Sequence, residues 1–248
     1  MSSSAPQNRP VIVAVVIPAF NEAERIAATV AGARALPGVV RVVVVSDGST
    51  DETAARAREA GAHVVSHARN RGKAAAMETG ADAAESLLDT PDGDFCLLFL
   101  DADLAGTVPE AAPLIPTVLC GEADMSVATF PHLAGKGGGR GVVVRTARAG
   151  ILRATGRRVA APLSGQRCIT RAAFAAARPL ARGFGVETAL TIDVLRAGFR
   201  VVEVPTQLNH RVTGGDWRGQ KHRLRQLRDV LRALAPRLLP FAGRRPRP

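Results

Sequence analysis

The chain has 248 residues, and 46% of them are hydrophobic, enough to bury a core for one large domain or two small ones and to exclude disordered and fibrous classes. Its longest apolar run, residues 11–17, falls far short of the ~20 residues that cross a bilayer, and residues 1–10 carry no secretory pattern, so a cytoplasmic protein without a transmembrane anchor is expected. The net charge of +11 is uneven, because residues 207–248 hold 11 Lys or Arg against only Asp216 and Asp229.

In chain order, short β-branched runs alternate with Ala-rich helical stretches, the pattern of βαβ units around a parallel sheet. Residues 11–17, 40–45, 63–66 and 95–100 read as strands, with 125–129 as a fifth. Residues 22–34, 53–60 and 73–88 read as the helices between them, and Asn21 is placed to cap the first, with Glu24 at capping-box spacing. The run 134–141 (AGKGGGRG) is too glycine-rich to hold one conformation and predicts a mobile loop able to act as a lid. Helices at 142–154, 171–177 and 186–197 follow, then a strand at 200–204. Leu224, Leu227, Leu231 and Leu234 recur at intervals of three and four, which predicts a basic amphipathic helix with one apolar stripe. The division expected is a disordered segment 1–10, a catalytic domain 11–216, a helical tail 217–240 and a disordered end 241–248. Cys96, Cys120 and Cys168 stand far apart with no CxxC pair, which argues against a zinc site or a disulfide framework and for buried thiols.

The tail has two readings, a solvated basic face or a surface for an anionic partner such as a membrane or a phosphorylated substrate. Nucleic acid is disfavoured, since the tail offers only Trp217 and Phe241 as stacking platforms.

In an open parallel sheet, ligands bind beyond the carboxyl ends of the strands. The first strand is followed by Pro18-Ala19-Phe20-Asn21-Glu22, the second by Ser46-Asp47-Gly48-Ser49-Thr50-Asp51 and the fourth by Asp101-Ala102-Asp103. Each segment alone reads as a turn or a cap, but capping does not account for their combination. In extended backbone, residues i and i+2 point the same way, so Asp101 and Asp103 can present two carboxylates to a hard cation, Mg²⁺ or Mn²⁺. A cation so held can also grip a diphosphate and neutralise charge on a departing nucleotide. The backbone at Pro18-Ala19 can read a base edge, Asp47 can accept from a base imide or a ribose hydroxyl, and Lys73 at a helix start can meet a phosphate or stand as a surface lysine. There is no GxxxxGK[ST], and no GxGxxG follows the first strand, which disfavours NTPases and nicotinamide enzymes.

The series VVIPAFNE, VVSDGSTDET, NRGKAAAM and LFLDADL resembles the donor half of family 2 glycosyltransferases, and the stretch Gly183-Phe184-Gly185-Val186-Glu187-Thr188 resembles segments of polyprenyl-phosphate sugar transferases and glucosyl-phosphoglycerate synthases. The resemblance implies a GT-A fold, an α/β, Rossmann-like, mixed but mainly parallel sheet flanked by helices, with a donor half at about 11–130 and an acceptor half at about 131–216. It further implies that Pro18, Ala19, Asn21 and Glu22 line a nucleotide pocket, that Asp47 holds base or ribose, that Lys73 approaches the donor, and that Asp101 and Asp103 handle ribose and metal. Gly165 and Gln166, within Pro162-Leu163-Ser164-Gly165-Gln166-Arg167, would line the donor-sugar pocket or form an ordinary turn. Glu187 reads as an acceptor-side catalytic carboxylate or as a helix-dipole partner, and His210 as a third metal ligand or a structural histidine. Arg211, Arg218 and Lys221 suit an acceptor phosphate or an anionic membrane surface. The expected activity is transfer of one sugar from a UDP- or GDP-sugar to a phosphate-bearing acceptor, polyprenyl phosphate first and a small acid such as 3-phosphoglycerate second. A non-catalytic nucleotide-sugar or lipid-binding protein is the alternative. The QxxRW segment of polymerising synthases is absent, which favours single transfer.

Overall fold

The computed structural model describes residues 12–88, 95–131, 141–208 and 217–239, with side chains in the last segment described from Leu224 onward. The Gly-rich run expected at 134–141 lies, apart from Gly141, outside the described residues, as do 1–11 and 240–248.

Seven strands form one sheet: β1 (Ile12–Ala19), β2 (Val39–Asp47), β3 (His63–His67), β4 (Phe95–Phe99), β5 (Met125–Thr129), β6 (Arg167–Thr170) and β7 (Val201–Pro205), in the order β3-β2-β1-β4-β6-β5-β7. All neighbours are parallel except β6, which runs antiparallel to β4 and to β5. The β1 register pairs Ala19 with Ser46 and Val16 with Phe99, so the polar segments after β1, β2 and β4 share one sheet edge.

Valine-rich strands suit this sheet because both of its faces are buried. Along β1, Val13, Val15 and Ile17 join a core under α1 (Ile26–Arg34) and α4 (Leu114–Leu119). The alternate residues Ala14 and Val16 join a second core under α3 (Lys73–Leu88), α6 (Arg171–Ala176) and α7 (Val186–Arg196). Helix α2 (Thr53–Glu59) flanks β3, and α5 (Val142–Thr155) and α8 (Trp217–Leu238) build a third cluster with α7.

Several local expectations are corrected. Helix α1 starts at Ile26, because the backbone N–H groups of Glu22 and Ala23 are taken by Thr53 Oγ1 and Asp51 Oδ2 of the neighbouring loop. Asn21 is therefore no helix cap: it sits at φ 55°, a region asparagine tolerates, and its Oδ1 accepts from Thr50 N at 2.9 Å. Strand β6, which begins at the last residue of the segment 162–167, was not anticipated, nor were the 3-10 helix Ala105–Ala111 and α4. Cys96 and Cys168 are buried, but Cys120 is exposed.

The leucine stripe also divides. Val230, Ala233 and Leu234 are buried, with Leu227 and Leu238 packed beside them, whereas Leu224 and Leu231 remain 69% and 50% exposed. Helix α8 is bolted to α7 by the Arg237–Asp193 ion pair, whose Nε–Oδ1 distance is 2.8 Å. It is therefore part of the packed domain over its second half.

Candidate active site

The carboxyl edge of the sheet borders a cavity of about 500 Å³, lined by Pro18, Ala19, Asp47, Lys73, Asp101 and Glu187 among others. Its centre is a continuous polar chain. Gln166 Nε2 donates to Asp101 Oδ2 at 2.6 Å, Lys73 Nζ donates to Asp101 Oδ1 at 2.7 Å, and the same ammonium meets Glu187 Oε1 at 2.8 Å. Lys73 opens α3, Asp101 follows β4, Gln166 precedes β6, and Glu187 stands in the first turn of α7, where the helix dipole favours a carboxylate. Burial opposes the charged ammonium of Lys73, but Asp101 and Glu187 outweigh it and hold the lysine well above its usual range.

Gly165 makes this chain possible. A Cβ there would lie 2.6 Å from Lys73 Nζ and 2.8 Å from both oxygens of Asp101, so no side chain fits without breaking the pair. Below it lies Arg167, 1% exposed, whose Nε donates to Ser164 O at 2.7 Å and whose Nη1 donates to Thr191 Oγ1 at 2.8 Å. Its Nη2 is a buried donor without a partner among the described residues. Burial pulls the guanidinium down to about 10, against the opposing pull of Glu187, Glu203 and Asp101, so it stays charged at neutral pH beneath the carboxylates.

Asp47, 4% exposed, organises the neighbouring wall. Its Oδ1 accepts from His67 Nδ1 at 2.6 Å and Arg71 N at 2.9 Å, and its Oδ2 from Gly72 N at 2.7 Å. The expected base or ribose contact is left with the remaining lone pair of Oδ2, because His67 of β3 and the loop that delivers Lys73 take the rest. Asn21 ties the first strand's loop to the second through Ser49 and Thr50, while Glu22 enters through its backbone bond to Thr53.

Asp103 is half-buried and makes no hydrogen bond or ion pair among the described residues. The segment carrying it is pinned from beneath by Thr29, whose hydroxyl donates to Ala102 O at 2.8 Å and accepts from Ala105 N at 2.9 Å. An open carboxylate oxygen set fits a hard divalent cation, which commonly takes one or two carboxylates and completes its shell with substrate phosphates and water. The reading of Asp101 as a second metal ligand is narrowed: Lys73 and Gln166 each engage one of its oxygens, and a cation there would face an ammonium. Among the described residues no three candidate ligands converge. His210 and Arg211 lie outside the described residues, and the side chains of Arg218 and Lys221, in the first turns of α8, are also outside them.

The sequence reading missed Phe20, Asn70, Phe184, Arg225 and Asp229, which line the cavity. It also missed Arg167, His67 and Thr29, which support it. Phe20, Asn70, Phe184 and Arg167 stand inside segments that the sequence singles out; the others are ordinary strand or helix residues until the fold brings them together. A wider depression of about 600 Å³ along α1 and α2 has its one arginine, Arg56, paired with Glu52 and shows no convergent chemistry.

A sequence model of Glycosyl transferase family 2 matches residues 14–171. Glycosyltransferase AglJ of Haloferax volcanii is 31% identical over 215 residues, covering 84% of this chain and 66% of that protein. Glucosyl-3-phosphoglycerate synthase of Mycobacterium tuberculosis is 32% identical over 197 residues, covering 73% of this chain and 60% of that protein. The chain thus spans about three fifths to two thirds of the length of these curated relatives. The crystal structure of the M. tuberculosis synthase with Mg²⁺ and UDP superposes with a TM-score of 0.74 at 27% identity, over 94% of this chain and 82% of that one. The same enzyme with Mn²⁺, UDP and phosphoglyceric acid also gives 0.74, over 94% and 81%.

Proposed function

From the premise that the chain belongs to glycosyl transferase family 2, we propose that it moves a single sugar from a UDP-sugar to a phosphate-bearing acceptor. The observation that carries this reading is the Gln166–Asp101–Lys73–Glu187 chain along the cavity at the strand ends. It joins the donor half to the acceptor half through one ammonium. UDP is preferred to GDP because the similar solved structures hold UDP with Mg²⁺ or Mn²⁺.

In this reading Pro18 and Ala19 border the base and Asp47 fixes the loop that presents Lys73. Asp103 is the carboxylate that would hold Mg²⁺ or Mn²⁺, with His210 as the proposed further ligand. A bound divalent ion supplies neutralisation of the charge that grows on the departing nucleoside diphosphate. Lys73, held between Asp101 and Glu187, orients both carboxylates, and the absence of a side chain at Gly165 leaves room for the Lys73–Asp101 pair itself. Glu187, 8% exposed at the cavity wall, faces the acceptor. If the attacking group is a hydroxyl, Glu187 accepts its proton; if it is an ionised phosphate oxygen, Glu187 only orients it.

A small phosphorylated acid is the preferred acceptor. The buried half of α8 removes much of the apolar surface that a membrane-facing helix needs, and a similar structure holds phosphoglyceric acid. Polyprenyl phosphate at an anionic membrane surface is the second reading, favoured by the exposed Leu224 and Leu231 among the arginines of α8. No helix among the described residues is long and apolar enough to cross a membrane.

A thermal-shift titration of UDP, GDP and their sugars with and without Mn²⁺ tests the donor. At ~100 times its dissociation constant a ligand adds about 2.7 kcal/mol of stability. No shift with any UDP compound overturns the proposal. Glu187→Gln then separates the acceptors, since loss of a general base costs about 10²–10⁴-fold in turnover and loss of an orienting contact much less.

A further inference from the structure

We infer that Arg225 of α8 recognises the phosphate of the acceptor, so that the C-terminal helix forms one wall of the catalytic cleft. This rests on the transferase reading above and assigns a residue to the acceptor end of that site.

Among the described residues two cations border the cavity, Lys73 and Arg225, against the carboxylates Asp47, Asp101, Glu187 and Asp229. Lys73 is consumed by Asp101 and Glu187. Arg225 is exposed and makes no hydrogen bond or ion pair among the described residues. An anionic acceptor entering beside Glu187 and Asp101 meets net repulsion unless a separate cation receives it. The guanidinium fork matches a phosphate in two parallel hydrogen bonds.

The helix that carries Arg225 is held in place. Asp229, one turn further along, accepts from Phe184 N through Oδ2 at 3.3 Å and lies against Gly183, where a Cβ would stand 2.5 Å from that oxygen. At Gly185 a Cβ would meet Ala233 Cβ at 2.5 Å and Asp229 O at 2.6 Å. Backbone thus packs directly on backbone next to Glu187, and Arg225 projects from a docked helix at the cavity rim. Asp229 does not neutralise it, because its other oxygen faces Arg228 at 3.4 Å.

The test uses the full-length protein saturated with UDP and Mn²⁺ and titrates three probes by calorimetry: 3-phosphoglycerate, glycerate as its phosphate-free counterpart, and farnesyl phosphate as a soluble polyprenyl phosphate. Wild type should bind at least one phosphate probe more tightly than glycerate. Arg225→Ala should weaken that binding by at least about tenfold, the loss of one charge-assisted contact, while UDP affinity is unchanged. Arg225→Lys should recover part of it. Arg232→Ala removes the same charge from an exposed position on the same helix that does not line the cavity, and should leave the titration unmoved. Which phosphate probe responds distinguishes a soluble from a lipid acceptor. Equal effects of Arg225→Ala and Arg232→Ala, no effect of Arg225→Ala, or binding of neither phosphate probe overturns the inference. Failure of wild type to bind UDP instead overturns the transferase reading itself.

Discussion

Thr29→Val probes how the fold holds Asp103 without touching the cavity. Thr29 is fully buried on α1, and its hydroxyl bonds the backbone at both Ala102 and Ala105. Valine keeps the shape, so no hole opens, but both hydrogen bonds vanish. Ala102 is buried, so its carbonyl bears most of an unsatisfied-group cost of about 1–3 kcal/mol, whereas the N–H of half-buried Ala105 sits at the low end of the same range. The expected loss is about 2–4 kcal/mol, or about 5–15 °C in Tm for a domain of this size. Ala105 also sits at φ 46°, a strained conformation for a residue with a side chain, which the Thr29 bond helps to hold. Releasing it should shift Asp103 and weaken Mn²⁺ binding together with stability. Urea unfolding with a constant m-value measures the first effect and a Mn²⁺ titration the second. Thr29→Ser keeps the hydroxyl and should restore most of both. A Thr29→Val protein within about 0.5 kcal/mol of wild type, the range of an ordinary neutral surface change, refutes the reasoning, as does a Thr29→Ser protein equally impaired.

Asp103→Asn should abolish metal-dependent transfer while leaving the unfolding stability within about 0.5 kcal/mol, since this carboxylate makes no hydrogen bond or ion pair among the described residues; activity unchanged across a Mn²⁺ titration counts against it. Lys73→Met leaves Asp101 and Glu187 facing each other and should cost about 1–2 kcal/mol, a buried-pair loss discounted for a side chain 31% exposed. Because the folded-state pKa of Lys73 is raised above 10.5, its contribution is fully present below that pH and fades as pH climbs through the folded value, so the gap between wild type and Lys73→Met should stay constant from pH 7 to about 9.5 and close only above it. Gly185→Ala forces a methyl into the α8 backbone and should destabilise by about 1–3 kcal/mol, read by chemical denaturation; a neutral result would show that α8 is loosely docked.

Much of this protein was decided locally. The alternation of valine-rich runs with Ala-rich stretches produces βα units, because strand and helix periods are set by neighbours a few residues away. Parallel strands then bring Pro18, Asp47 and Asp101 to one edge, so the cavity wall they form was legible from the segments that follow each strand. Position in three dimensions decided the rest. The four residues of β6 are too short to announce a strand, and they become one only because β4 and β5 leave a gap that an antiparallel segment fills. The leucine spacing on α8 identified an amphipathic helix, but the neighbouring surfaces of α5 and α7 selected Val230, Ala233 and Leu234 for burial and left Leu224 and Leu231 outside. Lys73 could be read as a surface lysine or a phosphate contact, and its ion pairs with Asp101 and Glu187 exist because tertiary packing sets a helix start, a strand end and a second helix start around one point. Charge pairing across such distances in sequence leaves no periodic trace, since it depends on where the chain returns in space.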